Sequence, residues 1–389
     1  MSSIFKHFQG DRLIWLVVFL LIGVSMLGIY SSTSTLAFRL QGGNTEYYVM
    51  KQFFYVAIGF GLMFITHLVD YRYYSRLAQI LWLVSIPLLL YTMFFGTELN
   101  NANRWITIPL VGLTFQTSDL AKLALIMYLA RQLSLKQENI DDFKESFLPI
   151  LLPIIVTALL IVPDNLSTAL IVVFTSIFVM FIGRVALRHI ALLAGAGTLI
   201  MVLFFAILFV MPQSMLVGRT ATWKHRVENF FDRSGNVEEE YQVLQSKIAI
   251  AKGGLVNLNA GGSDQKNFLP HPYSDFIYAI IIEEYGLLGG AIILMLYLFF
   301  LYRCIRIVLK APKAFGAFLA VGLGIALVIQ AMINMAVVVN LVPVTGVTLP
   351  LVSMGGSSAI FTSIAFGIIL SVSRNVELQN GEESLEMAA

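Results

Sequence analysis

Charge is what this sequence has least of. Of its 389 residues only 12% are Asp, Glu, Lys or Arg, while 58% are hydrophobic. A soluble globular domain carries roughly 25% charged residues. A chain this long therefore lacks the charge to cover a water-facing surface. Cysteine is nearly absent too. Cys304 stands alone, which excludes an intrachain disulfide framework and a CxxC metal site. The five histidines, His7, His67, His189, His225 and His271, are scattered and give no HExxH or similar metal spacing. No signal-peptide cleavage pattern is present. Leu13 to Tyr30 is long enough to span a membrane and reads as a first, retained helix. The net charge of +2 is uninformative, and no nucleic-acid partner is expected.

What the sequence has instead is apolar runs of membrane length. A spanning helix needs about 20 mostly apolar residues. Candidates lie near 13–31, 52–69, 77–95, 118–134, 147–163, 167–183, 189–211, 276–302, 315–339 and 357–373. The expected fold is all-α, a polytopic membrane protein with about ten transmembrane helices. Lys and Arg then fix the orientation, because cytoplasmic loops carry their excess. With the N-terminus inside, Arg72, Arg76, Arg131, Lys136, Arg184, Arg188, Arg303 and Arg306 are all cytoplasmic. The short outside loops hold little beyond Arg39, Lys51 and Arg104. An even helix count puts both termini in the cytoplasm. The longest loop, about 211–275 between the seventh and eighth helices, is then extracytoplasmic. Residues 1–374 read as one transmembrane domain, and the polar, acidic stretch 375–389 as a disordered cytoplasmic tail.

Ionisable groups at membrane depth are costly, so each is a candidate for function. Asp119 and Lys122 are spaced i, i+3 and share one helix face. A structural ion pair and a substrate role are both open for them. Gln330 and Asn334, spaced i, i+4, suit interhelical hydrogen bonds. Four outer segments are dense in Gly, Pro and polar residues. One joins Arg104-Trp105 to Gln116-Thr117-Ser118-Asp119. Another is Pro163-Asp164-Asn165-Leu166-Ser167-Thr168. A third runs from Gln245-Ser246 through Lys252-Gly253-Gly254 to Leu269-Pro270-His271-Pro272-Tyr273-Ser274-Asp275. The last spans 340–358, with Ser353-Met354-Gly355-Gly356-Ser357-Ser358. Non-helical backbone near a membrane is tolerated where it lines a cavity, so the segments point to one polar site roofed by the long loop. Asp275 precedes the eighth helix at the expected membrane boundary. It can cap that helix, and it can serve as a general base at a cavity mouth.

The motifs in this order, on alternate loops of a ten-helix chain, resemble the SEDS family of FtsW, RodA and SpoVE. They are RW, Q-x-S-acidic-x-x-K, PD…T, YQ-x-x-QS, GG, LP…DFI, EE-x-G and P-V-T-G-x-x-L-P-x-x-S-x-G-G-S-S, over about Leu13 to Arg374. The resemblance implies a peptidoglycan glycosyltransferase in the bacterial cytoplasmic (inner) membrane. It would polymerise lipid II, the undecaprenyl-pyrophosphate-linked disaccharide pentapeptide, into β-1,4 strands on the outer face. The family's essential aspartate falls on Asp275, its acidic-x-x-Lys pair on Asp119 and Lys122, and its RW pair on Arg104 and Trp105. Further substrate contacts are expected from Gln116, Ser118, Arg219, Arg226, Gln245, Ser246, Ser353 and Ser357. The resemblance leaves room for a divalent cation, Mg or Mn, with no known ligand set here, and for no organic cofactor. Its partners would be a class b penicillin-binding protein and other division or elongation machinery. Sequence details lean to the FtsW type. A lipid II flippase and a non-catalytic division scaffold remain alternatives. Departures from the family pattern include Thr117 and Asp119, where Pro and Glu are frequent, and His271, which stands out of register and receives no catalytic role.

Overall fold

Backbone inside a bilayer must satisfy its own hydrogen bonds, and each of the ten apolar segments folds as a helix. The computed structural model describes residues 9–40, 42, 44–99, 102–108, 113–212, 219–231 and 237–386. The helices are α1 (Arg12–Ser32), α2 (Ser34–Leu40), α3 (Thr45–Leu68), α4 (Tyr71–Phe95), α5 (Thr117–Leu135), α6 (Leu148–Ile161), α7 (Leu166–Ile182), α8 (Leu187–Val210), α9 (Thr220–Phe231), α10 (Val237–Gly253), α11 (Ile277–Lys310), α12 (Ala314–Val338) and α13 (Ser357–Glu386). Among the described residues, eight helices are long and apolar enough to cross a membrane, α6 being counted with the helical turn Phe143–Phe147 that leads into it. The two remaining apolar segments are α7, which is shorter, and α5, which carries Asp119, Lys122 and Arg131. Polar side chains set several helix starts. Asp11 accepts Leu13 N at 2.9 Å, Asn44 accepts Tyr47 N at 3.2 Å and Asp70 accepts Arg72 N at 2.9 Å.

Helix α12 is the centre of the bundle. It packs against α5, α7, α11 and α13, and 67% of its apolar span is buried. Helix α8 is the opposite case, with 6% of its span buried. It packs on the neighbouring α7 and α9, and His189 near its start lies against the Phe143 and Phe147 rings ahead of α6. At one end of the bundle, Asp11 pairs with Arg303 at 2.6 Å, and Gly10 N donates to Glu377 at 3.1 Å. That second bond bears on the C-terminal tail. The sequence reading ends helical structure at Arg374, whereas α13 continues to Glu386, with Glu377 on α13 accepting from the N-terminal segment.

The other end carries the long loop and an antiparallel sheet that the sequence reading does not contain. Its strands are β1 (Thr97–Leu99), β2 (Ala102–Ile108) and β3 (Leu113–Gln116), in the order β1-β2-β3, with Trp105 opposite Gln116. The long loop contains α9 and α10.

Helix α11 is broken at Gly286, whose φ is +73° and ψ −178°. Residues 254–259 of the long loop fill the break. Leu287 N and Leu288 N donate to Gly254 O and Leu255 O at 2.9 and 3.1 Å. Asn259 N donates to Glu284 O at 3.0 Å, and Asn257 Nδ2 to Glu283 O at 2.7 Å. The orphaned helix-end groups that a break creates are thus paired. The Glu283 carboxylate fastens the next turn by accepting from Ser263 Oγ and, at 3.1 Å, from Asp264 N. Glu284 accepts from Ser31 Oγ and ties α1 to α11.

Candidate active site

Asp275 lies in a turn between Leu269 and α11. The helix begins at Ile277 with Phe276 as its N-cap, and no side chain caps it. The Asp275 carboxylate is therefore not used as a cap. Its Oδ1 accepts from Ser274 Oγ at 2.9 Å. Its Oδ2 faces Gly346, where a Cβ would stand 3.6 Å away. Gly346 has φ +66°, a conformation that favours glycine. Backbone rather than side chain therefore approaches the carboxylate.

The polar residues of α12 hold this turn against the segment 340–356. Asn334 Nδ2 donates to Asp275 O at 2.9 Å and to Val347 O at 2.7 Å. One turn earlier, Gln330 Nε2 donates to Thr348 O at 3.0 Å, and Gln330 Oε1 accepts from Lys122 Nζ at 3.3 Å. Lys122 pairs with Asp119 at 2.8 Å. One turn of helix, about 5.4 Å of rise, thus joins the anchor of Asp275 to the anchor of the Asp119–Lys122 pair. Asp119 is 6% exposed, and its Oδ2 is buried without a hydrogen-bond partner. A buried carboxylate with an unspent oxygen has acceptor capacity to offer a ligand. Leu351, at φ +61°, marks backbone strain in the same segment, of order 1–3 kcal/mol.

Two cavities flank these residues. The first encloses about 590 Å³ between α5, α7, α12 and α13; its lining is apolar except for Asp119, Lys122, Gln330 and a few hydroxyls. The second encloses about 620 Å³ and is lined by α2, α3, β2, β3, Tyr273 and residues 354–356. Trp105 is on its wall.

The structure distributes the other expected contacts more widely. Gln116 N donates to Ser357 Oγ at 3.2 Å, and Gln116 Nε2 to Ser118 Oγ at 2.8 Å, which joins β3, α5 and α13. Ser353 Oγ donates to Ser274 O at 2.6 Å and braces the Asp275 turn. Ser246 is fully buried and donates to Val338 O at 2.8 Å, fixing α10 to the end of α12. Gln245 is half-buried on the same helix. Arg219 donates to Asp164 O over the turn between α6 and α7. Arg226 is half-buried on α9, and neither arginine lines the two cavities. Arg104 is in β2 beside Trp105, with its side chain outside the described residues.

Sequence reasoning passed over Tyr48, Lys51 and Tyr55. Their i, i+3, i+7 spacing places them on one face of α3, a legible signal. It also passed over Tyr273. Burial, then Tyr48, then Asp275 push the Tyr273 hydroxyl above its ordinary pKa.

The family model of the FtsW, RodA and SpoVE cell cycle proteins matches residues 11–378. The chain belongs to that family. Stage V sporulation protein E of Bacillus subtilis (strain 168) is 34% identical over 379 residues, covering 95% of this chain and 98% of that protein. A Geobacter metallireducens protein named probable peptidoglycan glycosyltransferase FtsW is 33% identical over 371 residues, covering 94% and 95%. Among solved structures, a chain described under polymerization and crosslinking by a peptidoglycan synthase complex superposes with TM-score 0.74 at 24% identity, covering 94% and 98%. The Rod shape determining protein RodA of Thermus thermophilus superposes with TM-score 0.67 at 23% identity, covering 94% and 97%. These two likenesses are of fold. FtsW/RodA/SpoVE membership and the apolar helices together make this a multi-pass protein of the inner membrane.

Proposed function

We propose that the chain polymerises lipid II into β-1,4 glycan strands, with Asp275 as general base. The observation that carries this reading is the Asp275 carboxylate itself. It is unused as a helix cap, and Asn334 and Gln330 on α12 couple it to the Asp119–Lys122 pair at the edge of an apolar cavity. The likeness to relatives named for that activity supports it. The acceptor sugar's 4-hydroxyl oxygen attacks the anomeric carbon of the lipid-linked donor. The new glycosidic bond forms as the bond to pyrophosphate breaks, with inversion. Asp275 takes the hydroxyl proton, and the leaving pyrophosphate keeps the electron pair. Lys122 is the cation available to the leaving group, and the apolar cavity suits the start of the prenyl chain. Among the described residues no three His, Cys, Asp or Glu side chains converge. No step here runs through the divalent cation that the resemblance leaves room for.

The positive-charge bias of the loops supports an extracytoplasmic face for this chemistry. A class b penicillin-binding protein is the proposed partner, in line with the synthase complex whose chain shares this fold. The role proposed is septal synthesis in division, with elongation as the other member of the pair.

Glycan formation from purified lipid II tests the reading. Wild type and Asp275→Asn are compared in detergent, each with a penicillin-binding protein carrying an inactive transpeptidase site. Loss of a general base costs about 10²–10⁴-fold, so the variant is expected to lose at least a hundredfold while folding normally. A variant that polymerises like wild type would sink the assignment of Asp275.

A further inference from the structure

We propose that the second cavity is a saccharide subsite, holding an N-acetylated disaccharide beside Asp275 between aromatic faces and the Lys51 ammonium; this rests on the glycosyltransferase reading above. The two cavities share no lining residue. The first has the apolar walls a prenyl chain needs. The second has four aromatic residues, Tyr48, Tyr55, Trp105 and Tyr273, around a floor of glycine backbone. A pyranose ring offers a flat face of C–H groups and a rim of hydroxyls. Tyr and Trp match it, with a broad apolar face and one polar atom each.

Position supports the same reading. Tyr273 is two residues from Asp275, and Tyr273 O accepts Met354 N at 2.9 Å. One cleft wall and the carboxylate therefore sit on a single braced turn. Gly356, at φ +50°, leaves its backbone open to the cleft; a Cβ there would stand 3.9 Å from the Tyr55 hydroxyl. Lys51 is exposed at this cleft. No carboxylate among the described residues pairs with it. A lysine is a compact point charge, and the sugars of this reaction carry acidic groups, as phosphate, as a stem-peptide carboxylate or, in a peptide-free strand, as the lactyl carboxylate of N-acetylmuramic acid.

The test uses the full chain in detergent and a lipid-free tetrasaccharide of alternating N-acetylglucosamine and N-acetylmuramic acid. Binding is followed by tryptophan fluorescence. Wild type should bind it, and Lys51→Met should weaken binding about tenfold, the usual worth of a hydrogen bond to a charge. Lys51→Arg keeps the charge and should stay within a few-fold of wild type. Tyr48→Ala should weaken binding as well. Thr175→Val, in the other cavity, should leave it within twofold. No binding by wild type overturns the subsite. So does equal loss in Lys51→Met and Thr175→Val, which would put the sugar in the apolar cavity.

Polymerisation of lipid II separates this inference from the reading beneath it. Wild type that makes polymer, with tetrasaccharide binding unchanged in Lys51→Met, overturns the subsite alone. Wild type that makes none, yet binds the tetrasaccharide through Lys51, overturns the glycosyltransferase reading and keeps the subsite. Strand length identifies the sugar held. Shorter strands from Lys51→Met at an unchanged initial rate mean the growing strand. A lower initial rate at unchanged length means the incoming lipid-linked disaccharide. Either result supports the subsite.

Discussion

At the scale of single residues, the Asp119–Lys122 pair shows how burial turns a small change into a large one. Lys122→Met removes the cation and leaves Asp119, 6% exposed, as an uncompensated buried charge. Breaking such a pair costs about 3–5 kcal/mol. The apparent Tm in detergent should fall sharply in Lys122→Met and largely recover in the double variant Asp119→Asn with Lys122→Met. Polymerisation should stay lost in both, because the cation near the leaving group is gone in both. Recovery of activity along with Tm would make the pair purely structural. The spacing of this pair was legible, as were Gln330 and Asn334, because i, i+3 and i, i+4 fix a shared helix face. Their partners were not. Gln330 and Asn334 reach Thr348, Val347 and Asp275, backbone groups brought close by a fold that no local spacing encodes. Ser246 and Ser353 likewise read as ligand hydroxyls in sequence and serve as braces in the structure.

At the scale of elements, the helices were legible because hydrophobic length is a strong signal. The strands over 97–116 were not. They are three to seven residues long, and their pairing depends on docking against α4 and α13. The break in α11 was equally hidden: Glu283, Glu284 and Gly286 interrupt the apolar run, but nothing local says that the long loop fills the gap. A side chain there is strained twice. The backbone at φ +73° and ψ −178° lies in a region open essentially to glycine and costs another residue of order 1–3 kcal/mol, and a Cβ would stand 2.7 Å from Leu255 O. Gly286→Ala should lower stability by roughly 2 kcal/mol or more. It should also raise amide hydrogen exchange across 254–262, where the loop loses its seat. Unchanged exchange in that stretch would show that the loop is held by Glu283 and not by the break.

At the scale of the whole molecule, the basic residues of the short loops gather at the end that holds the Asp11–Arg303 pair, and the long loop lies at the other. The expected orientation follows from that division, and labelling tests it. Cys304 is buried and can be replaced by serine to give a silent background. A membrane-impermeant maleimide on intact cells should label Leu258→Cys, a site 87% exposed on the long loop. It should label Lys313→Cys only after permeabilisation. The reverse pattern would invert the topology and move the proposed chemistry to the cytoplasmic face. The overall plan was readable because composition forces it. The way α12 gathers four helices around itself was not, since a helix apolar on nearly every face gives no sign of which neighbours it will bury.

Loops are where related sequences usually drift in length, since surface backbone tolerates a residue gained or lost. The stretch 254–262 is denied that freedom. Its carbonyls and amides are matched one by one to residues 284, 287 and 288 across the gap at Gly286, as a strand is matched to its neighbour. A single insertion would slide every partner by one position and unseat Glu283 from Ser263 and Asp264. In a lineage descended from this chain, side chains along that stretch can change while its residue count stays put, and length variation should collect elsewhere in the long loop.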